Sequence, residues 1–332
     1  MDIRRILDGD KYFYIDSKTR KRIKNKRTVK RIRKLNIPPA YKKVKISSKN
    51  NSKIQAIGED ELGRKQYIYN KKFVQEQQEI KFQDLINFGK KIKRIRKDYR
   101  RILESDLPID NKEKQISMVL FLLDVCKFRV GTEEYKKKYN TYGATTLNSN
   151  HIIFKENEVE ISFIGKKSVP NSSIIKNENV IHLLEALCKK NKGKEYLFYY
   201  KDDKDNTYNI TSNHIHNVLK KYNKHLQPKM FRTWNGNSVL LKHLISKGQP
   251  KDFKEIKRNL RDGIKKVAQE LHNTVSVSKK SYCNSEIYTL YLNENEKFFE
   301  FLESNKKDNG DKKLTDRILT LFLEKYYKNN SI

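Results

Sequence analysis

The spacing of apolar residues changes near residue 80, and this change constrains the fold more than any other feature of the sequence. Before it, apolar and polar residues alternate in short runs at 44–46, 54–57 and 66–69, which is the pattern of half-buried β-strands. After it, apolar residues recur at intervals close to 3.6 between residues 82 and 103, as they do on one face of an amphipathic helix. The sequence therefore predicts two different architectures, one after the other.

The chain beyond residue 103 is predicted to be mainly helical, with a short β region at 152–154 and 159–164 that ends in a turn. Its other apolar periodicities predict helices at 112–128, 177–192, 210–226, 237–247, 253–270, 284–304 and 313–328. The predicted fold class is therefore α+β. We expect a small β-rich amino-terminal domain over residues 1–79 and a larger, mainly α domain over residues 80–332.

The net charge indicates what kind of partner the protein has. The 332 residues include 73 Lys and Arg against 40 Asp and Glu, a formal charge of +33. A globular protein with this charge repels itself unless a polyanion neutralises it. A membrane surface is also anionic, but no apolar run approaches the ~20 residues that span a bilayer, and the first residues lack the apolar stretch of a signal peptide. We therefore expect nucleic acid as the partner, no membrane, and an intracellular location.

The sequence contains no recognisable site for a metal or a nucleotide. Gly165-Lys166-Lys167-Ser168 resembles the end of a phosphate-binding loop, but Glu160 stands where that motif needs glycine. No carboxylates have a spacing suited to magnesium, and His214 and His216 would point to different faces of a helix. The three cysteines are widely spaced, which fits a reducing compartment and neither a disulfide framework nor a zinc site. We therefore expect no cofactor.

Strand transfer in DNA is chemically possible without a metal if four kinds of side chain are present. Fixed guanidinium groups can stabilise the charge that grows on the non-bridging phosphate oxygens in the transition state. A tyrosine hydroxyl can attack the phosphate and hold it covalently. A lysine can protonate the departing 5′ oxygen, which leaves poorly as an alkoxide. Two arginines, one lysine and one tyrosine in distinctive contexts would therefore suffice.

Four segments of the sequence resemble, in order, the signature boxes of type IB DNA topoisomerases. The first consists of Lys127-Phe128-Arg129-Val130-Gly131, followed by Tyr135 and by residues 142–147. The others are Phe163-Ile164-Gly165-Lys166, Phe231-Arg232-Thr233-Trp234 and the run from His272 to Tyr282. The small domain is similar as well, through segments 37–41 and 63–69. The resemblance covers residues 36 to 285 and is greatest to the compact enzymes of poxviruses, giant DNA viruses and some bacteria. It implies a mainly α catalytic domain of the tyrosine recombinase and topoisomerase IB type.

The resemblance also implies a role for each residue of the site. Tyr282 would be the nucleophile and form a 3′-phosphotyrosyl bond, and Arg129 and Arg232 would hold the scissile phosphate. Lys166, at the tip of a hairpin, would protonate the departing 5′ oxygen. Asn273 departs from the pattern of the poxvirus enzymes, which have histidine there. An amide can donate a neutral hydrogen bond to a phosphate oxygen but cannot gain charge, so a proton-transfer role is not expected.

Further residues are candidates for contact with DNA rather than for chemistry. The resemblance implies this role for Arg64, Lys65, Gln66, Tyr67, Tyr69, Tyr135 and Lys167. Gln66 and Tyr67 are either readers of base edges in the major groove or ordinary strand residues. The basic run from Lys18 to Lys34 is either a solvated or nuclear-import-like segment or a phosphate contact. Trp234 is expected to belong to the core, and His272 to serve packing or backbone support.

The function implied is relaxation of supercoiled duplex DNA by a monomer that closes as a clamp, without ATP or metal. The first alternative is a tyrosine recombinase, which has the same chemistry. Recombinases typically show His-x-x-Arg in the second arginine box, whereas Lys229 stands three residues before Arg232 here. The second alternative is a non-catalytic basic protein that binds DNA. The sequence leaves open whether the protein works in a nucleus, in cytoplasm or in a virion.

Overall fold

The computed structural model describes residues 1–191, 195–305 and 311–328, without the side chains of residues 311–314 and 327–328. The described chain divides into two compact units, Met1–Lys81 and Phe82–Ile332. The first is built on a β-sheet and the second is mainly helical. The predicted α+β fold class is therefore confirmed. In the described part of the chain, no helix has the length and apolar character needed to cross a bilayer.

The first unit contains one antiparallel sheet of five strands in the order β2-β1-β3-β4-β5. The strands are β1 (Ile3–Asp8), β2 (Lys11–Asp16), β3 (Lys42–Ile46), β4 (Ile54–Glu59) and β5 (Lys65–Tyr69). The apolar alternation predicts the last three. The alternation does not predict β1 or β2. In β1 it is interrupted by Arg4 and Arg5, which are adjacent.

Helix α1 (Lys26–Arg33) covers one face of this sheet. The Asn25 side chain caps it by accepting the Thr28 N–H at 3.0 Å, and Ile32 packs into the sheet with only 1% of its surface exposed. Ile68 of β5 contacts the same core. Because neighbouring residues of a strand point to opposite faces, the exposed rings of Tyr67 and Tyr69 lie on the other face, where they stack with centroids 6.1 Å apart.

Helix α2 (Lys71–Leu103) begins eleven residues before the predicted start at residue 82. Its first three turns are mostly exposed and carry no apolar stripe, so periodicity could not detect them. The start is defined instead by Asn70, whose side chain accepts the Lys72 N–H at 2.9 Å. Such a cap satisfies one of the free N–H groups at a helix start.

The described residues of the second unit form helices and two small antiparallel sheets. Its further helices are α3 (Lys112–Asp124), α4 (Glu133–Tyr139), α5 (Glu178–Lys190), α6 (Ser212–Tyr222), α7 (Lys229–Lys247), α8 (Phe253–Glu270), α9 (Val275–Ser281), α10 (Ser285–Asn293), α11 (Asn295–Asn305) and α12 (Asp311–Lys328). Its strands are β6 (Ile152–Phe154), β7 (Val159–Gly165) and β8 (Val169–Ile175), which form one sheet, and β9 (Tyr199–Lys201) and β10 (Thr207–Asn209), which form a hairpin.

Two predictions about the helices of this unit are wrong. The single helix predicted at 284–304 is two helices, because Glu294 between α10 and α11 has the non-helical angles φ −141° and ψ 51°. Helix α7 begins at Lys229 rather than at residue 237, since its first turns are buried on nearly every side and show no simple stripe. The core position of Trp234 is confirmed, with no exposed surface.

Candidate active site

Two glycines fix the backbone at Arg129, in the segment after α3. Gly131 has φ +83°, which favours glycine. A Cβ atom on Gly143 would lie 2.6 Å from the Gly131 nitrogen and 2.7 Å from the Arg129 carbonyl oxygen, so only glycine lets these two loops touch. The Ala144 N–H then donates to the Arg129 carbonyl at 2.8 Å. This contact holds Arg129 in one place before any ligand binds.

Arg232 lies on α7 with 2% of its surface exposed. Its guanidinium donates to the carbonyl oxygens of Lys127 and, at 2.5 Å, Leu271. Its Nε is also buried and has no hydrogen-bond partner among the described residues. Burial and then the charge of Arg129 lower the pKa of Arg232 to about 10. The site therefore contains a cation whose positive charge is poorly compensated.

Asn273 lies in the short segment between α8 and α9 and contacts the first arginine directly. Its Oδ1 accepts a hydrogen bond from Arg129 Nη2 at 2.9 Å. Its Nδ2 is buried and has no partner in the described part of the chain. The segment turns at His272, which has φ +47° and is hydrogen-bonded to the backbone at Ser172. The Nδ2 donor of Asn273 is thus available for a hydrogen bond to a ligand.

Tyr282 follows α9 directly and is half-buried against the core. The centroid of its ring lies 5.4 Å from Arg232 Cζ. Burial raises the pKa of the Tyr282 hydroxyl, but the charges of Arg232 and Arg129 and hydrogen bonds from both outweigh burial and hold this pKa below its ordinary value. A lowered pKa makes the hydroxyl a better nucleophile near neutral pH.

A glycine on α7 makes room for this tyrosine. Gly236 lies four residues after Arg232 and therefore on the same face of the helix. A Cβ atom on Gly236 would lie 3.2 Å from Tyr282 Cβ and 3.3 Å from the Tyr282 carbonyl oxygen. The close approach brings the backbone of Tyr282 against the helix that carries Arg232.

Lys166 occupies the loop Lys166–Ser168 between β7 and β8, at the predicted hairpin tip. The side chain is exposed, and its Nζ lies 5.7 Å from the centroid of the Tyr135 ring. Lys167 and Ser168 have φ of 64° and 57°, which is uncommon for residues other than glycine. The structure thus brings together Arg129, Arg232, Asn273 and Tyr282, whereas Lys166 contacts Tyr135.

Comparison with known proteins identifies the family. Residues 70–327 match the sequence model described as "Eukaryotic DNA topoisomerase I, catalytic core", and residues 11–60 match "Bacterial DNA topoisomerase IB, N-terminal domain". The chain is 33% identical over 311 residues to DNA topoisomerase 1B of Acanthamoeba polyphaga mimivirus, covering 90% of each protein. The chain belongs to the type IB DNA topoisomerase family. It is accordingly a type I topoisomerase of the ATP-independent class, with DNA as its substrate.

More distant relatives are similar over less of the chain. DNA topoisomerase 1B of vaccinia virus (strain Copenhagen) is 23% identical over 243 residues, which is 72% of this chain and 73% of that protein. Among solved structures, the XerH site-specific recombinase bound to palindromic difH substrate has a TM-score of 0.37 and 12% identity, over 62% of this chain and 51% of that one. The sequence resemblance to type IB topoisomerases is confirmed by the two family models and by the mimivirus relative.

The candidate DNA contacts on β5 and just before it differ in how their side chains are held. Tyr67 and Tyr69 are exposed, 45% and 42%. By contrast, Asp60 accepts a hydrogen bond from Gln66 Nε2 at 2.9 Å and pairs with Arg64 at 2.8 Å. Lys65 is exposed. Tyr67 and Tyr69 are therefore accessible from solvent, whereas the Gln66 side chain is held by Asp60.

The structural roles of several residues that build the candidate site were not predicted from the sequence. The carbonyls of Lys127 and Leu271 hold Arg232, but a backbone acceptor leaves no trace in residue identity. Gly131 and Gly143 both lie in the segments that resemble the first arginine box. Their spacing was the one available signal, since paired glycines often mark a close approach of two backbones.

Proposed function

We propose that this topoisomerase relaxes supercoiled duplex DNA by a transient break in one strand, with Tyr282 as the nucleophile. The observation that carries the proposal is the joint placement of Arg129 and Arg232 against the Tyr282 hydroxyl. Attack of the hydroxyl oxygen on the phosphorus forms a 3′-phosphotyrosyl bond and breaks the bond to the 5′ oxygen. The hydroxyl proton leaves to solvent or to the phosphate, and resealing reverses these steps.

The two guanidiniums and Asn273 would stabilise the transition state. Arginine stays protonated and can contact two phosphate oxygens at once. Arg232 Nε and Asn273 Nδ2 are buried without partners among the described residues, so both can donate to non-bridging oxygens without losing an existing bond. Donors fixed in advance at such a position commonly contribute ~10²–10³-fold each to the rate.

Lys166 is our candidate for the general acid. Its exposed position in a three-residue loop lets the ammonium leave Tyr135 and reach the departing 5′ oxygen once DNA is bound. Protonation of that oxygen is needed because an alkoxide is a poor leaving group. The proton returns to Lys166 when the 5′ hydroxyl attacks the phosphotyrosine during resealing.

Relaxation then needs no further energy source, because the phosphotyrosyl bond conserves the energy of the phosphodiester. The free 5′ end rotates about the intact strand, driven by torsional strain of either sign. We propose that a monomer closes around the duplex as a clamp, with Tyr67 and Tyr69 of the sheet unit against the DNA. The net charge of +33 would be neutralised largely by phosphates in that state.

Relaxation of a supercoiled plasmid in EDTA tests the proposal directly. We expect the wild-type protein to relax both positive and negative supercoils without ATP. Tyr282→Phe removes the nucleophilic oxygen but keeps the ring, so we expect it to bind DNA, relax nothing and form no adduct in denaturing gels. Persistent supercoils at stoichiometric wild-type protein would contradict the proposal.

The role of Lys166 has its own test with a modified duplex. Sulfur in place of the bridging 5′ oxygen makes the leaving group a thiolate, which departs without a proton. We expect Lys166→Ala to cleave the ordinary duplex at least ~10²-fold more slowly than wild type and the sulfur duplex at nearly the wild-type rate. Lys167→Ala in the same loop is the control, and its rate should not depend on the sulfur. Equal impairment of Lys166→Ala on both duplexes would exclude the role.

A further inference from the structure

A group of buried and half-buried charged residues joins four elements of the second unit. Arg96 of α2 contacts both oxygens of Asp124, at 2.7 Å from Nε and 2.8 Å from Nη2, and also pairs with Asp316 of α12. The Tyr99 hydroxyl donates to Asp124 at 2.8 Å. The indole N–H of Trp234 on α7 donates to Asp316 at 2.7 Å. One guanidinium therefore connects two carboxylates, and each carboxylate holds a different part of the protein.

Asp124 and Asp316 contact the two parts of the protein that carry Arg129 and Arg232. Asp124 is the last residue of α3, five residues before Arg129, and its carbonyl also accepts the Asn235 amide at 2.8 Å. Trp234 lies two residues after Arg232. One series of contacts therefore runs from Arg96 through Asp124 to the segment of Arg129. A second series runs from Arg96 through Asp316 and Trp234 to the segment of Arg232.

Close packing holds the group in one arrangement. A Cβ atom on Gly89 of α2 would lie 2.5 Å from the Trp234 ring and 2.7 Å from Thr320 Oγ1 of α12, so the three helices meet there without space. Asp124 is 4% exposed, and Arg96 and Asp316 are 20% and 22% exposed. Buried ion pairs contribute little net stability because both partners lose their hydration, but removal of one partner leaves a buried charge. Such a group is better suited to fixing a geometry than to adding stability.

We propose that Asp316 is a positioning residue, which acts through Arg96 and Trp234 to fix the distance between the guanidiniums of Arg129 and Arg232. The inference rests on the proposed function of this site and extends it to α12, a helix that begins 29 residues after Tyr282. If the two arginines are held apart at the spacing of two phosphate oxygens, a small rotation of α7 misaligns one of them. A misplacement of ~1 Å can cost ~10²-fold in rate.

The test compares Asp316→Asn with Glu324→Gln. Both changes remove a charge of α12 that pairs with α2, since Glu324 contacts Lys90 Nζ at 2.8 Å, but only Asp316 also binds α7. We expect Asp316→Asn to slow single-turnover cleavage at saturating enzyme by at least ~10-fold and to change DNA affinity by less than ~2-fold. The rising limb of its pH–rate profile should move to higher pH, because the guanidiniums then act less strongly on Tyr282. Glu324→Gln should cleave as wild type does.

A second variant keeps the test decisive if Asp316→Asn melts below the assay temperature. Trp234→Phe retains an aromatic ring but loses the N–H that binds Asp316, so we expect the same slower cleavage and the same shift in pH profile. Wild-type rates and an unchanged pH profile in the folded variant would overturn the positioning role. Absence of any covalent adduct at Tyr282 in the wild-type protein would instead overturn the proposed function, so the two failures are distinguishable.

Discussion

Two substitutions of Asn273 can distinguish the role of its amide oxygen from the role of its amide nitrogen. Oδ1 accepts a hydrogen bond from Arg129 Nη2 at 2.9 Å, and Nδ2 is a buried donor without a partner among the described residues. Asn273→Ala removes both ends. Asn273→Asp keeps the acceptor for Arg129, removes the donor and adds a negative charge where a phosphate is expected. The two variants therefore differ in whether the phosphate meets an added negative charge.

The magnitudes follow from these contacts. Loss of one donor to a developing oxyanion usually costs ~10²–10³-fold. In Asn273→Ala, Arg129 Nη2 is released and can partly replace that donor, so we expect cleavage ~10-fold to ~10²-fold slower than wild type. A carboxylate about 4 Å from a phosphate oxygen at an effective dielectric constant near 20 adds a repulsion of about 4 kcal/mol. Pairing with Arg129 reduces this repulsion, and we expect Asn273→Asp to be at least ~10-fold slower than Asn273→Ala.

The assay is single-turnover formation of the covalent adduct on a short duplex with enzyme in excess. DNA affinity is measured separately in the Tyr282→Phe background, so that binding and chemistry are not confused. Asn150→Asp, at an exposed asparagine of the same unit, is the control for the change in net charge. If Asn273→Asp reacts as fast as Asn273→Ala, or if Asn273→Ala reacts as fast as wild type, the donor role is refuted.

Three other predictions concern the pH profile, the loop packing and the binding of DNA. Because the charge of Arg129 helps to lower the pKa of Tyr282, Arg129→Gln should raise that pKa and shift the rising limb of the cleavage rate to higher pH; an unshifted limb would disprove the coupling. Gly143→Ala should lower the free energy of unfolding by about 1–3 kcal/mol, measured by denaturant titration, since its Cβ meets Gly131 at 2.6 Å. DNA affinity should fall at least ~10³-fold between 50 and 200 mM salt. Tyr67→Ala changes no charge, so it should weaken DNA binding without changing how steeply the affinity falls with salt. A changed salt dependence would show that Tyr67 does not contribute through its uncharged ring alone.

The fold could be predicted from the sequence wherever one face of an element is buried and the other is not. Strands β3, β4, β5 and β7 alternate in this way and were predicted close to their observed bounds. Strand β1 was missed, because Arg4 and Arg5 stand side by side in it and hide the period of two. The first three turns of α2 were missed for the opposite reason, since they bury almost nothing and depend on the cap at Asn70.

For the candidate site, the sequence indicated which residues to consider but not how they are held. The boxes point to Arg129, Arg232 and Tyr282 through residue identity and order. The backbone carbonyls that fix Arg232 could not be predicted, because their position depends on left-handed backbone at Lys127, with φ 57°, and at His272. Both residues are ordinary in composition and adopt this conformation only because of their tertiary surroundings.

The buried donors and cations of the candidate site are suited to holding a phosphate. Arg232 Nε and Asn273 Nδ2 are buried and have no partner among the described residues. The neighbouring charge of Arg129 adds repulsion, which together with burial lowers the pKa of Arg232 to about 10. An anionic oxygen placed between these groups would satisfy both donors and screen the two cations from each other. If Tyr282 attacks as proposed, negative charge on the phosphate oxygens increases, so these groups would stabilise the transition state more than the bound substrate and would accelerate cleavage.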